Sequence, residues 1–203
     1  MGRGRARLGA ALMLLGGLLV LSAVSLFAYN SMEDRRAADA SGRIAGALAA
    51  QIAARTEGGT DGAGADGTDA GLSVDGEAYM GILDIPALGL SLPVMNDWSY
   101  ARLRISPCRY SGSLEDGIVI AAHNYRRHFG RIHLLSYGDA LSFTGARGNT
   151  VGYAVADIET LEATAVEDMS ESGYALTLFT CTYGGSARVA VRCDRLSPAP
   201  AAP

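Results

Sequence analysis

The sequence predicts an all-β domain held behind a single N-terminal transmembrane helix. Three observations lead to this fold class. Residues 8–29 form an apolar run without a charge, residues 56–76 are rich in Gly and Asp, and residues 77–196 contain many short β-type runs separated by Gly-rich turns. A chain of 203 residues that is 49% hydrophobic can bury one modest core. We therefore expect one folded domain.

The charge balance argues against one class of function. The formal net charge is −4 and the isoelectric point lies near 5.3. A general nucleic-acid-binding protein usually presents a basic face that displaces counterions from phosphates. We expect no nucleic-acid partner.

The apolar run at residues 8–29 is interpreted as a membrane anchor. It is about as long as the ~20 apolar residues needed to cross a bilayer. A cleavable signal peptide has an apolar region of only about 7–15 residues that ends in a small-x-small site, and here the best such site, Ala23-Val24-Ser25, lies inside the run. The positive-inside rule then puts the basic tip, residues 1–7, in the cytoplasm and the rest of this single-pass chain outside the cell.

A helical stalk is predicted over residues 30–55. Ile44, Leu48 and Ile52 recur every four residues, and Ser31 could cap the helix. This apolar stripe is thin, so a solvated stalk and a helix packed on the following domain are both open. Residues 56–76 lack large apolar side chains and are predicted to be a flexible linker.

The segment at residues 77–196 is predicted to be built from strands, and residues 197–203 to be a disordered tail. Alternation in the last two strands has the period of two that is typical of β-structure, and a Gly-Gly turn joins them as a hairpin. The predicted strands are Tyr79-Ile85, Leu90-Val94, Gly117-Ala122, Ala140-Thr144, Thr150-Leu161, Ala175-Cys181 and Arg188-Cys193. Short helical connections are predicted at Trp98-Arg104, His133-Leu135 and Ala165-Met169.

Three cysteines lie in the predicted extracellular domain, where disulfides persist. Because the count is odd, either one pair forms or all three thiols are free. Cys181 and Cys193 lie at unequal distances from the hairpin turn, which disfavours their pairing. A Cys108–Cys193 disulfide and three free thiols both remain open.

Three residue types with catalytic potential fall at strand ends. Cys181 closes an apolar strand, His123 follows another, and Arg188 begins the strand after the hairpin turn. An ordinary thiol with a pKa near 8.5 is only a few per cent thiolate at neutral pH, so a nucleophilic cysteine needs a nearby base or cation. His123 and Arg188 are the candidates for these roles.

The other two histidines are interpreted as structural or solvated. His128 and His133 lie in a polar, arginine-rich loop, and neither has zinc-site spacing to a cysteine. We predict no metal ligand and no cofactor, although scattered loop carboxylates leave a calcium site open.

The residues around these positions resemble the sortases, membrane-anchored cysteine transpeptidases of Gram-positive bacteria. Thr177-Leu178-Phe179-Thr180-Cys181 resembles the family's T-L-x-T-C signature, and Ala121-Ala122-His123 resembles its A-G-H, with Ala in place of the usual Gly. The family's opening strands are similar to Ile82-Leu83-Asp84-Ile85-Pro86 and Leu92-Pro93-Val94, and its arginine-led final strand to Arg188-Val189-Ala190-Val191. These matches follow the family's order over nearly all of residues 77–196.

This resemblance implies a closed β-barrel of about eight strands and an acyl-transfer reaction. Cys181 would attack a backbone carbonyl in the C-terminal sorting motif of a secreted protein and form a thioester, which an amine of a cell-wall precursor or a pilin lysine resolves. His123 would move the protons and Arg188 would stabilise the oxyanion. Because only seven positions separate Cys181 from Arg188, Arg192 is a weaker rival for the arginine role. The sorting motif, the acceptor amine and the sortase class stay open.

Two other classes of protein compete with this interpretation. L,D-transpeptidases also use Cys and His on a β scaffold, but their S-x-G-C-x-R signature differs from Thr180-Cys181-Thr182. A non-enzymatic extracellular β-barrel with an adhesive or structural role predicts that Cys181 is unreactive. A thiol-redox role is disfavoured because the chain has no C-x-x-C motif.

Overall fold

The computed structural model describes residues 2–57, 72–170 and 173–197. Within this part of the chain two compact units meet in sequence at Arg36 and Ala37. The first contains the apolar half of helix α1, and the second contains the C-terminal part of α1 and every strand. The helices are α1 (Gly2–Glu57), α2 (Tyr100–Leu103) and α3 (Val166–Ser170), with short 3-10 helices at Pro86–Leu88 and Ile132–Leu134.

The apolar half of α1 exposes its side chains. Large apolar residues between Leu12 and Phe27 are each at least 53% exposed, and the helix is long and apolar enough to cross a membrane by length and composition. Since α1 is continuous from Gly2 to Glu57, Ser31 lies inside the helix. The predicted cap at Ser31 is therefore wrong, because the apolar run before it is itself helical.

Nine strands form the sheet in the described residues of the second unit. They are β1 (Leu72–Val74), β2 (Glu77–Ile85), β3 (Leu90–Met95), β4 (Cys108–Ser113), β5 (Gly117–Ala121), β6 (Ala140–Gly145), β7 (Thr150–Glu162), β8 (Leu176–Cys181) and β9 (Ala187–Arg195). Their order is β1-β2-β3-β4-β5-β8-β9-β7-β6, and β6 also pairs with β2. Eight strands thus close into a barrel that leaves only β1 as an addition, which confirms the predicted fold class.

Alternation along the strands separates the barrel interior from its outer face. Ile118 and Ile120 of β5, Leu176 and Leu178 of β8, and Val191 of β9 belong to the interior core. The residues between them point outward, as expected for a pleated strand. The outer face of β8 includes Phe179, and that of β9 includes Ala190.

The second half of α1 packs on another part of the outer face. Ile44, Leu48 and Ile52 are at most 8% exposed and are buried against Tyr79, Ile82 and neighbouring side chains. Of the two alternatives that the thin apolar stripe left open, the packed helix is the one observed for this segment.

All seven predicted strands are present, and each of the three predicted helical connections overlaps a short helix. Strands β1 and β4 were not predicted. The predicted linker, residues 56–76, lies largely outside the described residues, and its described end already contains β1. The predicted tail, residues 197–203, lies outside them except for Ser197.

Candidate active site

The three candidate residues come together from three adjacent strands. Cys181 ends β8 and lies directly opposite Arg188 of β9 in the antiparallel register. Strand β5 runs parallel to β8 on its other side, with Ala121 paired to Phe179. His123 follows two residues after Ala121, as Cys181 follows Phe179. The chain therefore brings all three candidates to the same end of three neighbouring strands.

Two hydrogen bonds fix the approach of the histidine segment to β8. The Ala122 amide donates to the Phe179 carbonyl over 3.2 Å, and the buried Thr180 hydroxyl donates to the Ala122 carbonyl over 2.8 Å. The second bond explains why a threonine is useful immediately before Cys181. It ties the residue before the thiol to the residue before the imidazole.

Cys181 and Arg188 also lie on the outer face of the barrel. In β8 the interior positions are Leu176 and Leu178, so Phe179 and Cys181 point outward. Ala190 of β9 packs with Phe179 on this face, and Arg188 lies two residues from Ala190. Cys181 is accordingly partly exposed.

A tight hairpin holds Arg188 next to Cys181. The Thr182 amide donates to the Ala187 carbonyl over 3.0 Å, and the turn uses Gly184 and Gly185 at φ angles of 85° and 76°, a left-handed conformation that glycine adopts freely. Nη1 of Arg188 donates to the Gly185 and Ala187 carbonyls, each over 3.1 Å. The guanidinium is therefore fixed by the turn itself.

The environment of His123 disfavours its charged form. Partial burial lowers the pKa of His123 below its usual 6.5, and the nearby positive charge of Arg104 lowers this pKa further. The imidazole also contacts the ring of Tyr125, with the ring centroids 4.9 Å apart. At neutral pH His123 is therefore mainly a neutral imidazole that can accept a proton.

The loop after His123 is tightly folded. The Phe129 amide donates to the His123 carbonyl over 3.2 Å, and the Phe129 ring is completely buried in the interior core. Gly130 fits against the Asn124 and Tyr125 carbonyls, which an added Cβ would approach to 2.3 and 2.8 Å. These contacts set where the loop leaves the end of β5.

All three cysteines are free thiols. Cys108 lies in the cluster under α1, whereas Cys193 lies in the barrel interior, so the Cys108–Cys193 disulfide is not formed. Burial raises the pKa of each of these two thiols to about 12. Among the three, Cys181 alone is not buried.

Arg192, the weaker candidate, has a different environment. It lies on the same face as Arg188 but is only 2% exposed. Its guanidinium donates to a Glu159 carboxylate oxygen at 2.7 Å, the Thr177 hydroxyl at 3.1 Å, and the carbonyls of Asp168 and Met169 at 2.5 and 3.1 Å. Arg192 therefore binds the last turn of α3 to the sheet.

Sequence reasoning missed an aromatic group beside the candidate site. Tyr110 of β4 packs edge-on against Phe179, with the ring centroids 5.2 Å apart, and Trp98 lies 5.5 Å from Tyr110. A pocket of about 400 Å³ adjoins them, lined by Asn96, Asp97, Trp98, Arg109, Tyr110 and Ser111. Trp98 is the sole tryptophan of the chain, and it is the one sequence signal that could have indicated this surface.

The remaining two histidines have different environments. His133 is exposed in a 3-10 helix, and His128 is completely buried. Among residues 2–57, 72–170 and 173–197, no group of three His, Cys, Asp or Glu side chains is placed to hold a metal ion.

Comparisons with known proteins show which family and fold this chain has. The family model of the sortase domain matches residues 83–196. The structure is similar to sortase C1 from Streptococcus agalactiae, with 26% identity, a TM-score of 0.55, and coverage of 63% of this chain and 72% of that one. Sortase C1 from Streptococcus suis aligns with 26% identity and a TM-score of 0.53 over 60% of this chain and 75% of its own.

A third similar structure extends the likeness in fold. Sortase A from Corynebacterium diphtheriae aligns with a TM-score of 0.55 and 22% identity over 63% of this chain and 65% of its own. No curated protein matches the sequence significantly.

Proposed function

Because the chain belongs to the sortase family of transpeptidases, we propose that Cys181 is its nucleophile, His123 its general acid and base, and Arg188 its oxyanion-binding residue. The observation that carries these assignments is the register of three strands. Cys181 lies opposite Arg188 on one side, and the parallel pairing of β5 with β8 leads His123 to the other side.

The first half of the proposed reaction forms a thioester. The neutral His123 imidazole takes the proton of the Cys181 thiol, and the thiolate attacks the backbone carbonyl carbon of a sorting motif. The tetrahedral intermediate collapses when its C–N bond breaks, and the His123 imidazolium gives the proton to the leaving amine. The motif's C-terminal part departs and the acyl group stays on sulfur.

The second half reverses these steps with a different amine. His123 takes a proton from the incoming amine, which attacks the thioester carbonyl, and the C–S bond breaks to release the Cys181 thiolate. The thiolate recovers a proton from the imidazolium, so the enzyme returns to its starting state. The lowered pKa of His123 suits this role, because a neutral imidazole is needed at the start of each half.

Arg188 is assigned to the negative oxygen of both tetrahedral intermediates. The two turn carbonyls take bonds from Nη1, and the N–H groups of Nε and Nη2 are the donors we assign to the substrate oxygen. A guanidinium already fixed by the turn needs little reorganisation when charge develops. Arg192 is not available for this role, because its hydrogen bonds hold α3.

The proposed substrates follow from the family and from the anchor. We infer that the apolar helix crosses the cell membrane once with residues 1–7 in the cytoplasm, which puts the barrel outside the cell. There it would meet secreted proteins that carry a sorting motif. The acceptor would be an amine of a cell-wall precursor or a pilin lysine.

A mass measurement tests the proposal. The full chain in detergent micelles is incubated with a library of candidate sorting peptides, beside a Cys181→Ala control. We expect a mass increase equal to an N-terminal peptide fragment, absent from the control and removed by hydroxylamine. If no peptide forms an adduct and Cys181 also resists iodoacetamide, the non-enzymatic extracellular barrel becomes the better interpretation.

A further inference from the structure

A buried hydrogen bond joins helix α1 to the loop that follows His123. Nε2 of His128 lies 3.2 Å from the hydroxyl oxygen of Ser41, and these residues are 0% and 3% exposed. The same hydroxyl lies 3.4 Å from the Ile105 carbonyl. Ser41 is separated from His128 by 87 positions in sequence, so this contact depends on the packing of α1.

The two contacts of Ser41 restrict the arrangement of protons. A hydroxyl has a single hydrogen, and the Ile105 carbonyl can only accept. When the Ser41 hydroxyl donates to Ile105, it accepts from Nε2–H of His128; with the other tautomer of His128 it donates to Nε2. A serine inside a helix commonly bonds back to its own helix, whereas Ser41 bonds to a loop and to the chain just after α2.

A short path leads from His128 to His123. The ring of Tyr125 lies between the two imidazoles, with its centroid 5.5 Å from that of His128 and 4.9 Å from that of His123. The His128 amide also donates to the Tyr125 carbonyl over 3.0 Å. A displacement of His128 would therefore move the ring on which His123 packs.

We propose that Ser41 is a positioning residue for the proposed catalytic histidine. Through His128 and Tyr125 it fixes the loop of residues 123–130, and thereby the placement of the His123 imidazole next to Cys181. The C-terminal half of α1 is then a part of the reaction machinery as well as a cover for the barrel. This inference rests on the proposed role of His123.

Gln51 provides a matched control on the same helix. Its side-chain amide donates to the Ser73 carbonyl of β1 over 3.0 Å, so it also binds α1 to the sheet. It lies ten positions, or nearly three helical turns, beyond Ser41. Gln51→Ala removes a hydrogen bond between the helix and the sheet without touching the His123 loop.

The first test is amide hydrogen exchange of the full chain in micelles, which needs no substrate. We expect Ser41→Ala to speed exchange of peptides covering residues 123–130 about tenfold, because a locally opened loop loses protection. Ser41→Thr, which keeps the hydroxyl, should restore protection, and Gln51→Ala should leave this segment unchanged. Equal exchange in wild type and Ser41→Ala, or equal effects of Ser41→Ala and Gln51→Ala, overturns the proposal.

A spectroscopic measurement reports the imidazole directly. The chain has three histidines, so ring-labelled histidine gives three resonances that single substitutions assign. Ser41→Ala should shift the His123 resonance, Ser41→Thr should return it, and Gln51→Ala should not move it. If Ser41→Ala does not fold, His128→Gln decides, because it keeps a donor to Ser41 but lacks the ring against Tyr125. An unshifted His123 resonance in His128→Gln then overturns the proposal.

Failure of the proposed function is separable from failure of this inference. In a wild-type chain that forms the thioester, Ser41→Ala should lower kcat about tenfold with little change in KM, as expected when a catalytic group is misplaced but the substrate still binds. A wild-type chain without activity contradicts the proposed function, while the exchange and resonance results still decide the role of Ser41.

Discussion

Arg188 and Arg192 lie on the same strand and the same face, yet their surroundings differ in every respect. Arg188 is partly exposed, lies opposite Cys181, and donates to the Gly185 and Ala187 carbonyls of its own hairpin. Arg192, four residues further along the strand, is 2% exposed and bonds to Glu159, Thr177 and α3. The difference has a simple cause: α3 covers Arg192, whereas Arg188 lies beside the hairpin turn and is partly exposed.

The same residue type has different roles at these two positions. A guanidinium offers the same five N–H donors at both positions. At Arg192 protein acceptors take those donors, so their contribution is to stability. At Arg188 the position beside a partly exposed thiol makes the same donors available to a substrate, so we propose a contribution to the reaction rate.

Replacement of the buried Arg192 tests its contribution to stability. Arg192→Ala should lower the free energy of unfolding by about 3 kcal/mol, because it removes the donor to Glu159 and to the Asp168 and Met169 carbonyls, the last of them in a buried contact. Chemical denaturation of the full chain measures this loss. The rate of Cys181 acylation per folded molecule should stay near the wild-type value, and a rate loss at unchanged stability would reverse the two roles.

Replacement of the partly exposed Arg188 tests its proposed role in the reaction. Arg188→Ala should slow Cys181 acylation by about 100-fold, the usual cost of removing one oxyanion donor. The unfolding free energy should change by less than about 1 kcal/mol, because the guanidinium is not buried. Arg188→Lys is the matched variant, since it keeps the charge but not the forked donors. Full activity in Arg188→Ala would contradict the oxyanion assignment.

The ion pair between Glu159 and Arg192 contributes a part of this stability. Glu159→Gln keeps an acceptor for Arg192 but removes the charge of a carboxylate that is 36% exposed. We expect a loss of about 1 kcal/mol of unfolding free energy, because partial exposure screens the ion pair. Thermal unfolding beside Arg192→Ala measures it. A loss equal to that of Arg192→Ala would mean that the charge, and not the carbonyl contacts, dominates.

The smallest effect is a shift along the pH axis. Arg104 lowers the pKa of His123, so Arg104→Gln should raise that pKa. Since the proposed base must be neutral, the acidic limb of the acylation rate then moves to higher pH, and activity is lost earlier as pH falls. The acylation rate between pH 4 and pH 8 measures the shift. A limb that stays in place would mean that burial alone sets the His123 pKa.

Most of the fold could be predicted because large apolar residues mark its strands. Strands β5, β8 and β9 have alternating or continuous apolar patterns, and each was predicted within two residues of its observed start. Strand β4, with the sequence Cys-Arg-Tyr-Ser-Gly-Ser, has no such pattern and carries a bulge between Arg109 and Ser111. Strand β4 forms because it pairs with β3 and β5, and the sequence pattern of β4 itself does not indicate this pairing.

Only the site residues that lie at strand ends could be predicted from the sequence. Cys181, His123 and Arg188 each stand next to a readable strand, whereas the hydrogen bond of Ser41 to His128 joins residues 87 positions apart. Ser41 belongs to an alanine-rich helix and His128 to an arginine-rich loop, so neither stood out. Arg192 was ranked below Arg188 by its distance from Cys181, and its burial under α3 could not be read from strand alternation.

The parallel pairing of β5 with β8 has a consequence for folding kinetics. The bond between Thr180 and Ala122 spans 58 positions, and the intervening chain contains β6 and β7. Such non-local pairing forms slowly, because the entropy of closing a long loop is lost before the contacts stabilise it. Cys181 and His123 thus become neighbours only when β8 has entered the sheet, so a chain that is still folding carries a thiol without its proposed base.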